Sequence, residues 1–209
     1  VDIPAKHRDK SDDQVAREVE GATGTGFKEY FLFWGSIEPK KNIGRMLEAY
    51  LASKVDTPLV MVGAQAWKSE QELRLLDNAS LEWFQIADRS ILHRKRVIQL
   101  QYAPFSLLVS LIRGAKAALF PSLYEGFGLP VLEAMSLGTP VLCSDTSSLP
   151  EVAGDAALMI DPYDTAAISQ AIRTLDADDD LRAELSRRGL EQAARFSPAL
   201  KSRLCALRR

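Results

Sequence analysis

The sequence of 209 residues predicts an α/β domain built on an open, mostly parallel sheet of six strands with helices on both faces. Two observations carry this prediction. Short apolar runs recur along the chain, and because they are almost unbroken they are typical of strands covered on both faces. Stretches with helical spacing alternate with these runs, and the short connections between them imply right-handed crossovers between parallel strands.

The expected elements follow in order along the chain. Residues 1–27 begin polar and lack a periodic apolar face, so we expect a lead-in with room for one short helix. The six expected strands are YFLFWG (30–35), PLVMVG (58–63), RVIQL (96–100), AALFPS (117–122), PVLCS (140–144) and AALMI (156–160). The expected helices are NIGRMLEAYLAS (42–53), FSLLVSLIRGA (105–115), PVLEAMSLG (130–138), TAAISQAIRTL (165–175) and DLRAELSRRGLEQAARF (180–196). Segment 66–96 combines charge with Trp67, Trp83 and Phe84, and there we expect one or two helices.

The composition is that of an ordinary globular protein with a large core, since 46% of the residues are hydrophobic and 26% are charged. The formal net charge of -2 gives no broad basic surface, which argues against nucleic acid as the main partner. The longest apolar runs are far shorter than the roughly 18 residues that a membrane span needs. We expect Cys143 and Cys205 to be reduced thiols of a cytosolic protein, with Cys143 buried.

Three loops at the expected carboxyl ends of strands are rich in chemistry: GSIEPKKN (35–42), QYAP (101–104) and SLYEGFGLPVLE (122–133). Ligands of open parallel sheets bind at this edge. The first loop places Lys40 and Lys41 before Asn42, a candidate helix N-cap. Lysines at the positive end of a helix are accounted for if an anion such as phosphate binds between them and the free amides. A solvated surface turn is the alternative.

The third loop sets Glu125 and Glu133 on either side of a turn and a helix start. Gly126 and Gly128 let a ligand lie against the backbone, and a proline at position 130 suits the first turn of a helix. Glu133 then lies near the cleft. The alternatives are that Glu133 only complements the helix dipole and that Glu125 is a turn carboxylate.

Other polar clusters are interpreted as structural. DTSSLPE (145–151) offers N-caps for a short helix, with the hydroxyls of Ser147 and Ser148 alternatively available to a ligand. IDPYD (160–164) and DADDD (176–180) are interpreted as helix starts, and His7 and His93 lie too far apart in sequence to indicate a metal site. No G-x-G-x-x-G motif follows the first strand, which argues against NAD, and no G-x-S-x-G motif supports a hydrolase.

Taken together, these segments resemble the retaining nucleotide-sugar glycosyltransferases of the GT-B fold, family 4 or group 1. YFLFWGSIEPKKNIGRMLEAY is similar to the first strand, basic loop and helix of that family. The stretch from Gly114 to Asp164 matches its C-terminal half almost without a gap. The resemblance covers about 30–175 and implies a Rossmann-like domain, the C-terminal half of a GT-B fold. It divides the chain into a linker segment (1–29), a nucleotide-sugar-binding domain (30–195) and a C-terminal helix or tail (196–209).

The resemblance also implies roles for individual residues in a donor site. Lys41 with Lys40 neutralises the diphosphate, Glu133 holds the ribose hydroxyls, and Glu125 is the catalytic candidate that orients the sugar and stabilises its charge. The other implied donor-binding residues are Gly35, Ser36, Leu100, Gln101, Tyr102, Gly126, Phe127, Gly128 and Leu129. Two positions depart from the pattern, because Ser36 stands where many members have arginine and Gln101 where glycine is common.

The resemblance therefore implies the donor-binding domain of a retaining, metal-independent hexosyltransferase that uses a GDP- or UDP-linked sugar and needs no cofactor. The loop at 35–42 favours a mannosyltransferase of surface-polysaccharide assembly. The resemblance also leads us to expect that the N-terminal acceptor-binding domain of that family is missing from this chain, and that the isolated domain transfers sugar poorly. The expected location is cytoplasmic, with peripheral association of the full-length enzyme at the inner face of the membrane as an option. The alternatives are a non-catalytic nucleotide-binding module, or another GT-B enzyme such as a sugar-nucleotide epimerase.

Overall fold

The computed structural model describes residues 3–64, 82–87 and 90–196, with side chains for residues 3–64 and 95–196. Its main feature is an open sheet of six strands, all parallel, which confirms the predicted fold class. The strands are β1 (Phe31–Trp34), β2 (Leu59–Val62), β5 (Val97–Leu100), β6 (Ala117–Phe120), β7 (Val141–Ser144) and β8 (Leu158–Ile160). Their order across the sheet is β5-β2-β1-β6-β7-β8.

Eight helices lie among the described residues. They are α1 (Ala5–Arg8), α2 (Asp12–Thr23), α3 (Ile43–Ser53), α4 (Phe105–Gly114), α5 (Leu129–Ser136), α6 (Leu149–Ala153), α7 (Thr165–Ala177) and α8 (Asp179–Arg195). Right-handed crossovers place α3 on one face of the sheet and α4, α5 and α6 on the other, because the chain moves across the sheet in opposite directions. The packing agrees, since α3 contacts α7, whereas α2 contacts α4 and α5 contacts α8.

The core lies between the sheet and these two helix layers. All four residues of β1, β2, β6 and β7 are buried, as expected for strands covered on both faces. Cys143 on β7 is a buried free thiol, as predicted, and burial raises its pKa to about 12. Cys205 lies outside the described residues. Asp164 and Asp178 cap α7 and α8 through their side chains, which confirms the helix starts predicted there.

The segment after β2 differs from the prediction. The prediction of helices across 66–96 is wrong for its second half, where β3 (Glu82–Ala87) and β4 (Ser90–Lys95) form an antiparallel hairpin separate from the main sheet. The sequence signal was EWFQIA and SILHRK, two runs rich in β-branched and aromatic residues that a two-residue connection separates. Residues 65–81, including Trp67, lie outside the described part.

The N-terminal segment is more ordered than predicted. It forms two helices instead of one short one, and α2 buries Val15 and Val19 in the same core as the sheet. Lys10 adds hydrogen bonds from Nζ to Oγ of Ser106 and Ser110 on α4, both 2.9 Å long. The prediction failed because only two valines form the apolar stripe of α2, and the other residues of the segment are mostly polar. The division at residue 29 stays a prediction, and the predicted tail at 196–209 lies outside the described residues except for Phe196.

Truncating Val19 tests whether α2 is part of the folded domain. We expect Val19→Ala to lower the free energy of unfolding by about 2 kcal/mol, because the side chain is fully buried and its loss leaves a cavity. Chemical denaturation of the 209-residue chain measures this. Glu20→Ala, at the exposed next position of the same helix, is the control and should change stability by less than about 0.5 kcal/mol. Equal stability of Val19→Ala and the parent would contradict a packed α2.

Candidate functional site

The candidate site lies at the carboxyl edge of the sheet, where β1 and β6 lie side by side. From β1 the chain continues to β2 on one side, and from β6 it continues to β7 on the other. The loops that leave these two strands therefore diverge and open a crevice between them. In open α/β sheets this position is the usual ligand-binding crevice. The first and third loops singled out from the sequence border this crevice and contact each other there.

A buried ion pair joins the two loops. Lys41 Nζ donates a hydrogen bond of 2.7 Å to Oε1 of Glu125, and their side chains are only 11% and 10% exposed. Ser122 Oγ donates to the same carboxylate oxygen at 2.8 Å. Lys41 ends a single turn of 3-10 helix (Pro39–Lys41), so this turn aims its side chain across the crevice. A buried charge pair with a further hydrogen bond is a specific arrangement, because desolvating both charges is costly.

Two serines from another loop, the one that follows β7, fix the backbone of Glu125. The amide of Glu125 donates to Oγ of Ser147 at 3.0 Å, and Oγ of Ser148 donates to the carbonyl of Glu125 at 2.9 Å. Ser147 has a φ of 55°, in the left-handed region. Ser148, one of the N-cap candidates in DTSSLPE, stands at the N-cap position of α6, but its side chain does not cap the helix; the hydroxyls of both serines bind this backbone instead. Their effect is to hold the Glu125 loop in place.

Asn42 also acts differently from its prediction. It stands directly before α3, but its side chain makes no capping hydrogen bond. Its Nδ2 instead donates to the carbonyls of Pro121 at 2.9 Å and Pro162 at 2.8 Å, which lie after β6 and β8. The amide is almost fully buried. Because buried carbonyls need donors, Asn42 ties three loops together next to Lys41.

Lys40 lies at the rim of the site and not in it. Its side chain is 52% exposed and forms an ion pair with Glu38 at 3.2 Å. Ser36 Oγ donates to Glu38 Oε1 at 2.8 Å, so Ser36 supports this surface pair. The structure therefore distinguishes the two predicted lysines by burial, and Lys41 is the one directed at Glu125.

A second contact crosses the same crevice. Trp34, the last residue of β1, donates from its indole Nε1 to Oε2 of Glu133 at 3.1 Å. Glu133 lies in the second turn of α5, close to the position predicted for it. Burial raises the pKa of the Glu133 carboxyl above its ordinary value, although the hydrogen bond from Trp34 opposes this shift. The site therefore holds two carboxylates in different environments, one paired with a cation and one with a neutral donor.

The start of α5 faces the crevice with unused amides. Gly128 precedes the helix in the left-handed region with a φ of 85°, no side chain caps this end, and the first turn has no acidic residue. Gly126, Phe127 and Leu129 are exposed around it, as a ligand-contacting loop requires. Uncapped amides at a helix start are suited to binding an anion.

The predicted base-binding residues lie at the same edge but farther away. Leu100 ends β5, which is separated from β1 by β2. Gln101 is exposed and Tyr102 is 78% exposed, so both side chains are available to a ligand. No hydrogen bond or ring contact described in the structure connects them with Lys41 or Glu125. Their assignment to the base stays a prediction.

Sequence reasoning missed Trp34, Ser122 and Gly63. Trp34 and Ser122 looked like ordinary strand and loop residues, and nothing local indicated that each supports a glutamate. A signal for Gly63 was present, because both FLFWG and LVMVG end in glycine. The carbonyl oxygen of Gly35 lies 1.8 Å from where a Cβ of residue 63 would be. Glycine is thus required for β1 and β2 to end side by side.

Within residues 3–64, 82–87 and 90–196, no group of three or more His, Cys, Asp and Glu side chains is placed to hold a metal ion. In the same residues, no helix is both long and apolar enough to span a bilayer.

Comparison with known proteins identifies the family. The family model "Glycosyl transferases group 1" matches residues 22–192, which is most of the chain and includes both sides of the crevice. The chain belongs to the group 1 glycosyl transferases. This group 1 chain is 40% identical over 172 residues to O-antigen chain mannosyltransferase B of Escherichia coli, covering 80% of this chain and 42% of that protein. It is 35% identical over 171 residues to the serotype-specific mannosyltransferase WbdA of Escherichia coli, covering 81% of this chain and 20% of that protein.

Solved structures agree with the group 1 assignment at the level of the fold. HepE of Anabaena, solved in complex with UDP and glucose, matches with a TM-score of 0.72 at 15% identity, covering 89% of this chain and 48% of that one. Sucrose-phosphate synthase of Thermosynechococcus elongatus matches with a TM-score of 0.65 at 20% identity, covering 91% of this chain and 49% of that one. Family and fold together are those of a GT-B glycosyltransferase, as the resemblance implied. The group 1 chain spans less than half of the length of these relatives.

Proposed function

We propose that the chain is the C-terminal, donor-binding domain of a retaining, metal-independent mannosyltransferase that uses GDP-mannose. The observation that carries the proposal is the buried pair of Lys41 and Glu125 at the crevice between β1 and β6. The mannosyl donor is supported by the names of the two relatives from Escherichia coli. The acceptor site and the rest of the catalytic machinery then belong to a partner domain, and surface-polysaccharide assembly is the corresponding process.

The proposed diphosphate site uses charge and free amides. Breaking the bond between sugar and diphosphate builds negative charge on the leaving group, which preorganised cations and dipoles stabilise. Lys41 has three N–H groups and donates one to Glu125, which leaves two for phosphate oxygens. The start of α5 supplies amides near Gly128 and Leu129, and Lys40 adds positive charge at the rim.

The proposed sugar site centres on Glu125. As the bond to the diphosphate breaks, positive charge develops on the sugar ring, and a carboxylate nearby stabilises it. Ser122, Ser147 and Ser148 hold this glutamate at its side chain and at its backbone, so it is preorganised. Gly126 and Phe127 would contact the sugar, and Gly35 and Ser36 would line the donor from β1. Glu133 would accept hydrogen bonds from the ribose hydroxyls, and Leu100, Gln101 and Tyr102 would contact the base.

Calorimetric titration of the 209-residue chain with GDP-mannose, GDP, UDP, ADP and NAD tests the proposal. We expect GDP-mannose and GDP to bind and NAD not to bind. A Glu133→Gln variant should bind GDP about tenfold more weakly, because a hydrogen bond from the ligand to a charged group is lost. Glu48→Gln, an exposed glutamate on α3, is the matched control and should bind like the parent. Failure of every diphosphate to bind would refute the donor site.

The raised pKa of Glu133 predicts an opposite effect of the same variant on stability. Because its pKa is raised, the Glu133 carboxyl binds a proton more tightly in the folded chain than in the unfolded chain. The contribution of this protonated carboxyl to stability therefore falls as the pH rises from the ordinary pKa of 4.5 through the raised pKa. Glu133→Gln removes that loss. Thermal denaturation should therefore show a variant more stable than the parent at neutral pH, with the difference vanishing below about pH 4. A difference independent of pH would contradict the shifted carboxyl.

A further inference from the structure

Trp34 is held in a fixed orientation at the end of β1. It is only 5% exposed, and its ring packs edge-on against Phe120 with the ring centroids 4.7 Å apart. Its single polar atom, Nε1, donates to Glu133 Oε2. Indole nitrogen is a donor only, so this hydrogen bond has one direction. A buried aromatic residue at a strand end therefore directs its N–H at a carboxylate of the proposed donor site.

Glu133 depends on this contact for its position. Within the described part of the chain, no Lys, Arg or His lies within 4.0 Å of its carboxylate, and the indole is its hydrogen-bond donor. Its other oxygen, Oε1, makes no described hydrogen bond, and the described chain has no buried side-chain oxygen without a partner. Oε1 is thus open to solvent. Glu125 differs, because Lys41 and Ser122 both fix one of its oxygens.

A glutamate side chain rotates about three bonds, and an exposed carboxylate samples several rotamers. Fixing one oxygen removes most of this freedom before a ligand arrives, which lowers the cost of binding. The fixed carboxylate then presents Oε1 in one direction. A site that is built to accept a hydrogen bond from a hydroxyl rejects ligands that lack it.

We propose that Trp34 is a positioning residue that makes the site selective for ribonucleotides, by holding Glu133 so that Oε1 accepts a hydrogen bond from a ribose hydroxyl. The inference rests on the proposed function, in which Glu133 binds the ribose. The inference adds Trp34, a residue that does not touch the donor itself. It also adds selectivity for ribonucleotides, which the assignment of Glu133 to the ribose does not by itself require.

Titration of the 209-residue chain with GDP and with 2′,3′-dideoxy-GDP, and with UDP and its dideoxy counterpart, tests the inference. The parent should bind the ribonucleotide about tenfold more tightly than the dideoxynucleotide. Trp34→Phe keeps a buried ring but loses the N–H, and it should reduce this ratio to about twofold. Glu133→Gln should also reduce it. The double variant should show no lower ratio than Glu133→Gln alone, because two residues that act through one contact are not additive.

Phe33→Leu is the control for an effect on folding alone. Phe33 is the fully buried neighbour of Trp34 and makes no hydrogen bond to Glu133, so its truncation should lower the melting temperature and leave the ratio unchanged. If Phe33→Leu also reduced the ratio of ribonucleotide to dideoxynucleotide affinity, destabilisation alone would explain the effect of Trp34→Phe, and the inference would be overturned.

The outcomes separate the inference from the function on which it rests. If Trp34→Phe keeps the parental preference for the ribonucleotide while Glu133→Gln reduces it, the inference is wrong and the donor site stands. If the two substitutions have additive effects, Trp34 acts elsewhere and the inference is also wrong. If neither GDP nor UDP binds the parent, the proposed function fails and the inference fails with it.

Discussion

Lys41→Met is expected to lower the free energy of unfolding by about 3 kcal/mol and to weaken GDP binding about a hundredfold. The stability loss follows because Glu125 would lose its cationic partner in a site where its side chain is only 10% exposed, with Ser122 as its remaining donor. The affinity loss follows because Lys41 supplies the buried positive charge of the proposed diphosphate site. Chemical denaturation and calorimetry on the same preparation measure the two effects.

The double variant Lys41→Met/Glu125→Gln separates these two effects. It removes both charges and keeps an acceptor for Ser122, so most of the stability should return, because replacing both partners of a buried pair is far less costly than removing one. GDP binding should not return. Lys40→Met makes the same substitution at the exposed neighbour, where an ion pair at the surface contributes little. We expect its stability to change by less than about 0.5 kcal/mol and its GDP affinity by less than about tenfold. Equal effects of the two single variants would contradict the buried pair.

Gly63→Ala is expected to lower the free energy of unfolding by about 3 kcal/mol or more and to abolish GDP binding. The new Cβ would lie 1.8 Å from the carbonyl oxygen of Gly35, and a backbone atom cannot move aside as a flexible side chain does. The ends of β1 and β2 would have to separate, which strains the hydrogen bond of 2.9 Å from the Gly35 amide to the Val62 carbonyl. Because Gly35 leads into the Lys41 loop, the site would be distorted as well.

Gly21→Ala is the matched control for this variant. Apart from its chain neighbours and the backbone of its own helix α2, no atom lies within 4 Å of a Cβ added at Gly21. The change should raise stability by roughly 0.5–1 kcal/mol, because alanine is the better helix former. Thermal and chemical denaturation of both variants check the pair. Similar stabilities for Gly63→Ala and Gly21→Ala would show that the strand ends accommodate a side chain and that the close approach is not required.

Most of the fold was readable from local patterns. Runs such as FLFW and LVMV are apolar at every position, which is typical of a strand covered on both faces or of a buried helix. Because these runs are too short for a helix, they predict strands. The exceptions were the hairpin of β3 and β4 and the helix α2. In the hairpin, charged and aromatic residues together favour the prediction of a helix, and in α2 two buried valines among charged residues form too narrow an apolar stripe to predict a packed helix.

The candidate site was readable only in part. Glu125, Glu133 and Lys41 were identified because glycines, proline and lysines at strand ends are unusual. Their partners were not identified. From the sequence alone, Trp34 is an ordinary strand residue, and Asn42, Ser147 and Ser148 are candidates for caps or ligand contacts. Capping residues and residues that bind distant backbone have the same polar side chains, so local sequence does not distinguish them.

The α/β class, the strands of the main sheet and the loops that carry the chemistry follow from local sequence patterns, because the spacing of apolar residues depends on neighbours within a few positions. Which loops meet depends on how the whole chain folds. Lys41 and Glu125 are 84 residues apart, and Trp34 and Glu133 are 99 residues apart. These pairs form because β6 lies beside β1 although β2 follows β1 in the chain. That order comes from packing the whole sheet between its two helix layers, and no short segment encodes it.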